Sequence, residues 1–216
     1  MDIFKFFLAI HIIGGTLGLL AGTYIMFAKK GNKRHKLIGK IFAISMLGAG
    51  ICSFVLATLH RNEFLFSVGI FTIYLASTGW RYLYLKNILE GQRPIFIDWI
   101  LIGFMVLGSV AFTVMGIWSL LDKSYFGLII LIFAWRGISY VIQDYKTYKG
   151  KIEVKNYWLI AHLQRMTGAY IASLTAFAVV NAPNRLSYLP WLLPAAIFVP
   201  FIIKWTRKLR VKLTLK

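Results

Sequence analysis

The sequence predicts an all-α, polytopic transmembrane bundle of about seven spans, with the N-terminus outside and the C-terminus in the cytoplasm. Three observations predict it: the composition, a series of apolar runs long enough to cross a bilayer, and a one-sided distribution of Lys and Arg. Hydrophobic residues make up 59% of the 216, and charged residues only 15%. A soluble domain is closer to half apolar and a quarter charged, and one compact core of this size cannot hide the excess. Seven Trp, 11 Tyr and 17 Phe suit the two interfaces of a bilayer.

A spanning helix needs about 20 apolar residues. The runs that qualify are 6–27, 37–59, 64–85, 95–120, 125–143, 157–180 and 188–203. The first is longer than a signal-peptide core, follows Asp2 and precedes a basic stop-transfer run, so it belongs to the mature protein. The turn His60-Arg61-Asn62-Glu63 separates the second and third. Glu90-Gly91-Gln92-Arg93-Pro94 combines turn residues with a helix-start proline before the fourth. Asp122-Lys123-Ser124 separates the fourth and fifth. The seventh carries Pro190, Pro194 and Pro200 and reads as a kinked helix. No run leaves room for a soluble domain, so 1–216 forms a single transmembrane helical domain. The lone Cys52 sits in an apolar run and reads as a small core residue.

Orientation follows from the cations. With the N-terminus outside, 19 Lys and Arg face the cytoplasm: Lys29 to Lys40, Arg81 to Arg93, Lys146 to Lys155, and Lys204 to Lys216. Only 4 face outward, Lys5, Arg61, Lys123 and Arg185; Arg136 and Arg165 lie within spans. The positive-inside rule selects this arrangement and makes the protein a multi-pass protein of the cytoplasmic (plasma) membrane, its first partner the lipid bilayer. The same pattern accounts for the formal charge of +18 without nucleic acid, for which there is no reading surface or motif.

All four histidines fall in or beside spans. The topology sorts them into an outer pair, His11 with His60, and an inner pair, His35 with His162. His35 and His60 are 25 residues apart on one helix, roughly 37 Å at the α-helical rise. Paired histidines at two depths are what b-type haem needs, each iron taking two axial imidazoles from different helices. Small residues beside His11 (Gly14, Gly18, Gly22) and after His162 (Gly168, Ala169, Ala172) would let a flat macrocycle approach. The first set equally reads as a helix-packing face, and would serve a homo-oligomer. His35 also belongs to the basic run Lys33-Arg34-His35-Lys36, and His60 to a turn. His11 and His162 are buried within spans, where ionisable residues are costly and usually functional.

Arginines form a second constellation. Arg165 lies one turn after His162, on the same face; Arg136 is mid-span in the fifth helix; Arg81 nears the inner end of the third. Asp98 and Asp144 are the nearby acids. Three cations against two carboxylates reads as an anion pocket open to the cytoplasm, for haem propionates or a small anionic ligand, or as structural Arg–Asp pairs with Arg81 reaching the headgroups. The motifs of zinc proteases, c-type haem, hydrolase elbows and nucleotide loops are missing, so no enzyme activity is assigned.

Lys30-Gly31-x3-His35-x3-Gly39, preceded by the His11 and Gly14-Gly15 helix, together with His162-x2-Arg165-Met166, looks like the bacterial multi-span membrane proteins grouped as domain of unknown function 2306. The likeness runs to about Asn181 and implies a helical membrane fold with embedded histidines, without a known activity. It is more distantly similar in style to di-haem b-type membrane cytochromes. The leading functional expectation is a haem-b electron-transfer protein, with His11, His60, His35 and His162 as iron ligands, Arg165 and Arg136 holding propionates, and a redox partner. The alternatives are a transporter of a small anion through the arginine-rich inner pocket, and a histidine metal site.

Overall fold

The computed structural model describes residues 2–183 and 189–210. Tyr188, where the seventh run begins, and Arg185, Lys212 and Lys216 lie outside them. Seven α-helices follow in order: α1 Ile3–Phe27, α2 Lys33–Leu59, α3 Glu63–Arg81, α4 Phe96–Leu121, α5 Phe126–Tyr148, α6 Tyr157–Asn181 and α7 Leu189–Leu209. Five of them, α1, α2, α4, α5 and α7, are long and apolar enough to cross a membrane. Large apolar side chains such as Leu107, Trp118 and Leu121 stand 67–77% exposed on α4, a surface that suits lipid rather than water.

The two helices that fall short of that composition are the ones the bundle covers. α3 packs against α2, α4, α5 and α6, and its Tyr74, Leu75 and Ala76 are fully buried. α6 runs beside α3, α1 and α7 and carries His162, Gln164 and Arg165. Helices wrapped by other helices need no continuous apolar surface, so polar residues collect there.

Helix ends follow the local chemistry. The Asn32 side chain accepts from His35 N–H at 2.7 Å to start α2, and Asn62 accepts from Leu65 N–H at 2.9 Å to start α3. Lys30 closes α1: its ammonium donates to the carbonyls of Ile25, Met26 and Ala28 and lies 5.0 Å from the Trp205 ring of α7. The intervening turn uses Gly31 at φ +83°, a left-handed conformation that glycine adopts without strain.

Successive helices run up and down. Phe4 of α1 meets His60 at the end of α2, Arg81 ending α3 meets Asp98 opening α4, and Tyr170 of α6 meets Phe198 of α7. The consequence is one basic end, where the loops rich in Lys and Arg gather with Arg81, Asp98, Asp144, His35 and His162.

Two expectations change in detail. The third run ends as α-helix at Arg81, not at 85; single-turn 3-10 helices follow at Tyr82–Tyr84 and Ile88–Glu90, and the side chains of Tyr82, Leu85 and Ile88 turn in to form a small core with Tyr148 and Ala161. α5 runs on past residue 143 to Tyr148, because Asp144 and Thr147 face inward and are fully buried. α7 stays helical through Pro194 and Pro200.

The glycine face of α1 is filled by the chain itself. A Cβ on Gly18 would meet Met46 Cε at 2.0 Å, and one on Gly22 would meet the Tyr170 ring at 2.4 Å and Phe42 at 3.0 Å. Gly14 lies against Ser45 and Ala49. This face packs against α2 and α6 of the same chain, in keeping with its reading as a helix-packing face, because small residues let these helices approach closely.

Candidate functional site

Asp144 sits where α3, α5 and α6 meet, with no exposed surface. A bare carboxylate there would be very costly, and three donor groups surround it. Tyr82 OH donates to Oδ1 at 2.7 Å, Tyr74 OH donates to Oδ2, and Arg165 Nη2 donates to Oδ1 at 2.5 Å. Arg165 Nη2 also donates to the Tyr140 carbonyl at 3.2 Å, which holds the guanidinium against α5. The Arg165 guanidinium lies 3.7 Å from the Tyr140 ring centroid and Arg136 lies 4.4 Å from the same ring. Two cations thus share one aromatic ring, a favourable contact in a desolvated place.

A second ion pair lies nearby. Arg81 grips Asp98 through both Nε, at 2.7 Å, and Nη2, at 2.9 Å. Asp98 Oδ2 also accepts from Ile95 N–H at 2.8 Å, so it caps α4 while carrying the countercharge. Arg81 is therefore drawn inward to Asp98 and does not snorkel freely. Arg136 alone of the three has no carboxylate among the described residues, and Arg165 Nη1 is buried without a hydrogen-bond partner.

The histidines separate into two cases. His162, one turn before Arg165 on α6, has Nδ1 2.7 Å from the Gly79 carbonyl of α3. A carbonyl can only accept, so Nδ1 carries the proton and Nε2 keeps its lone pair. His35 lies in the first turn of α2. Its own Nδ1 is buried and has no partner. The inner pair thus lies at the same end of the bundle, on α2 and α6, helices that meet over only a short stretch.

The outer pair is not brought together. His11 Nδ1 lies 3.1 Å from the Ala49 carbonyl and 3.2 Å from Ser53 Oγ, again fixing the proton on Nδ1. His60 is exposed at the end of α2, its ring edge-on to Phe4 at 4.4 Å. Phe4 and His11 are seven residues apart on α1, about 10 Å of helical rise. The two imidazoles reach α1 at different depths.

Tyr74, Tyr82 and Tyr140 were not anticipated as part of the polar cluster. A tyrosine in an apolar run gives no sign that its hydroxyl is paired; the only clue was Asp144 and Arg165 at the same end of adjacent helices. Comparison with protein-family models, curated proteins and solved structures finds no match.

Proposed function

We propose that this protein is a seven-span membrane electron-transfer protein that binds one haem b at its cytoplasmic face through His35 and His162. In this reading the basic end faces the cytoplasm, the N-terminus is outside, and the membrane is the plasma membrane, as the loop charges favour. The resemblance to the domain of unknown function 2306 group belongs to the same proposal.

The observation that carries it is the state of the inner imidazoles. Histidines that ligate iron or another metal almost always donate their second ring N–H to a carbonyl or carboxylate. The Gly79 carbonyl does this for His162 Nδ1, leaving Nε2 as a basic ligand aimed from α6. His35 lies at the same end of the bundle on α2, with a buried ring nitrogen that nothing among the described residues satisfies, an arrangement a ligand would complete. Haem supplies one-electron chemistry when bound. The chain's own part is to present the two nitrogens, exclude lipid, and offer cations to propionates. Lys33, Arg34 and Lys36 are exposed beside His35. Arg165 is committed to Asp144 and acts at one remove, by fixing the rotation of α6.

The test is the absorption spectrum of protein purified from haem-replete cells. A Soret band lost in His162→Ala and in His35→Ala, with the fold retained by circular dichroism, is the expected result. A colourless, folded wild-type protein would end the proposal.

A second reading is favoured by the arginines. Arg165 Nη1 is buried and unpartnered beside Arg136 on the Tyr140 ring. A small carboxylate or phosphate carried inward from the basic end would suit both. Anion uptake into proteoliposomes that survives Arg136→Gln would count against it.

A further inference from the structure

On the lipid-facing side of α3 lies a cleft of about 290 Å³, lined by Ser77, Trp80, Arg81, Tyr84, Ile97 and Leu101. It sits between α3 and α4 at the basic end, opens sideways, and is close in size to the smaller ligand pockets of proteins. Trp80 and Tyr84 supply aromatic surfaces, Ile97 and Leu101 supply apolar ones, and Arg81 supplies a guanidinium only 17% exposed.

The charge of the cleft narrows its occupant. Arg81 spends Nε and Nη2 on the fully buried Asp98 carboxylate, so the pair is neutral as a unit. Nη1 makes no hydrogen bond among the described residues. An anion would find the guanidinium already compensated and a carboxylate just behind it. A neutral group with an acceptor oxygen would find a good N–H donor and no opposing charge. Flat aromatic walls favour a ring, and lateral access favours a ligand dissolved in the bilayer.

The position adds the last argument. Gly79, whose carbonyl holds His162, directly precedes Trp80 and Arg81. The imidazole and the cleft therefore lie on opposite flanks of one helix, separated by about one helix diameter, some 10–12 Å. We infer that this cleft binds the head ring of a lipid-soluble quinone, a carbonyl oxygen of the ring accepting from Arg81 Nη1. The choice of a quinone over other neutral lipids rests on the electron-transfer reading above; the cleft's charge and shape do not.

The experiment titrates the detergent-solubilised protein with a short-chain ubiquinone and follows quenching of tryptophan fluorescence, the wild type beside Trp80→Leu to isolate the local signal. Saturable quenching with a Kd in the micromolar range is expected. Arg81→Lys keeps a cation for Asp98 but loses the fork and its third nitrogen, and is expected to weaken binding at least tenfold. Ser77→Leu leaves the ion pair alone and fills the cleft, and is expected to do the same with the melting temperature held. Unchanged affinity in Ser77→Leu overturns the inference, as does displacement of the quinone by phosphatidylglycerol at equal concentration, which would make the cleft a phospholipid site. Repeating the titration on His162→Ala separates the two proposals. Quinone binding with no haem spectrum in the wild type removes the haem reading and leaves the cleft; a haem spectrum without saturable quenching removes the cleft alone.

Discussion

Arg165 of α6 and Asp144 of α5 form an ion pair with 1% and 0% of their side chains exposed, at 2.5 Å. No other ion pair among the described residues is so completely removed from solvent: in the second buried pair Arg81 keeps 17% exposure beside Asp98. Breaking such a pair from one side leaves an uncompensated buried charge and costs about 3–5 kcal/mol, whereas replacing both partners by apolar groups of similar volume is often far milder. Asp144→Asn is therefore expected to destabilise strongly, and Asp144→Leu combined with Arg165→Met to recover at least half of that loss. Thermal unfolding in detergent across the double-mutant cycle reads the coupling; additive losses would mean that the two side chains do not act as a pair.

The α1 glycines differ in what stands opposite them, and that difference is measurable. At Gly18 the obstructing atom is the terminal methyl of Met46, 2.0 Å from a built Cβ, and a methionine end can swing aside. At Gly22 the obstruction is the ring of Tyr170, which is held by a 2.8 Å hydrogen bond between its hydroxyl and Thr23 and by Phe198 on its other side. Gly22→Ala is expected to cost about 1–3 kcal/mol, the range of overpacking in a filled core, and Gly18→Ala clearly less. Melting temperatures of the two variants in one detergent decide it; the reverse order would show that the Tyr170 ring is the softer neighbour.

Ser109 of α4 is 1% exposed, and its hydroxyl has no hydrogen-bond partner. It faces Gly137 of α5, where an added Cβ would lie 2.4 Å from Oγ. An unpaired buried hydroxyl carries a desolvation penalty with nothing to offset it. Ser109→Ala is accordingly expected to leave stability unchanged or raise it by up to about 1 kcal/mol. A loss of more than that would reveal a partner for the hydroxyl in the bilayer.

The apolar runs of the sequence and the observed helices differ by a few residues at most ends, because a bilayer span is a local property: twenty apolar residues and a polar break state it in one stretch of chain. The polar cluster is a different kind of fact. Asp144 was visible as an acid at a helix end and Arg165 as a cation one turn from His162, but their pairing joins two helices. Tyr74 is 70 residues from Asp144, and nothing about a tyrosine in an apolar run says whether its hydroxyl meets a partner on another helix. The histidines show both outcomes. Depth along the chain brought His35 and His162 to one end. Depth alone did not separate His11 from His60, whose distance depends on which α1 residue meets the end of α2, and that residue is Phe4.

That last difference sets the expected haem stoichiometry. Two haems would need both histidine pairs, and the outer pair meets α1 at positions about 10 Å apart along it, His60 against Phe4 and His11, farther along, against Ala49 and Ser53. One haem needs only the inner pair. Pyridine haemochrome analysis is therefore expected to give one haem b per chain, with the spectrum unchanged in His60→Ala and abolished in His162→Ala. Removing the haem should also lower the melting temperature, since a ligand bound only by the folded state stabilises it by about 2.7 kcal/mol at a hundredfold excess over its Kd. That loss should be absent in His162→Ala, which has no haem to lose. Two haems per chain would require the outer pair as well, against the single-haem proposal; a spectrum that follows His60 would place the centre at the opposite end of the bundle and leave the unpartnered nitrogen of His35 without its proposed role.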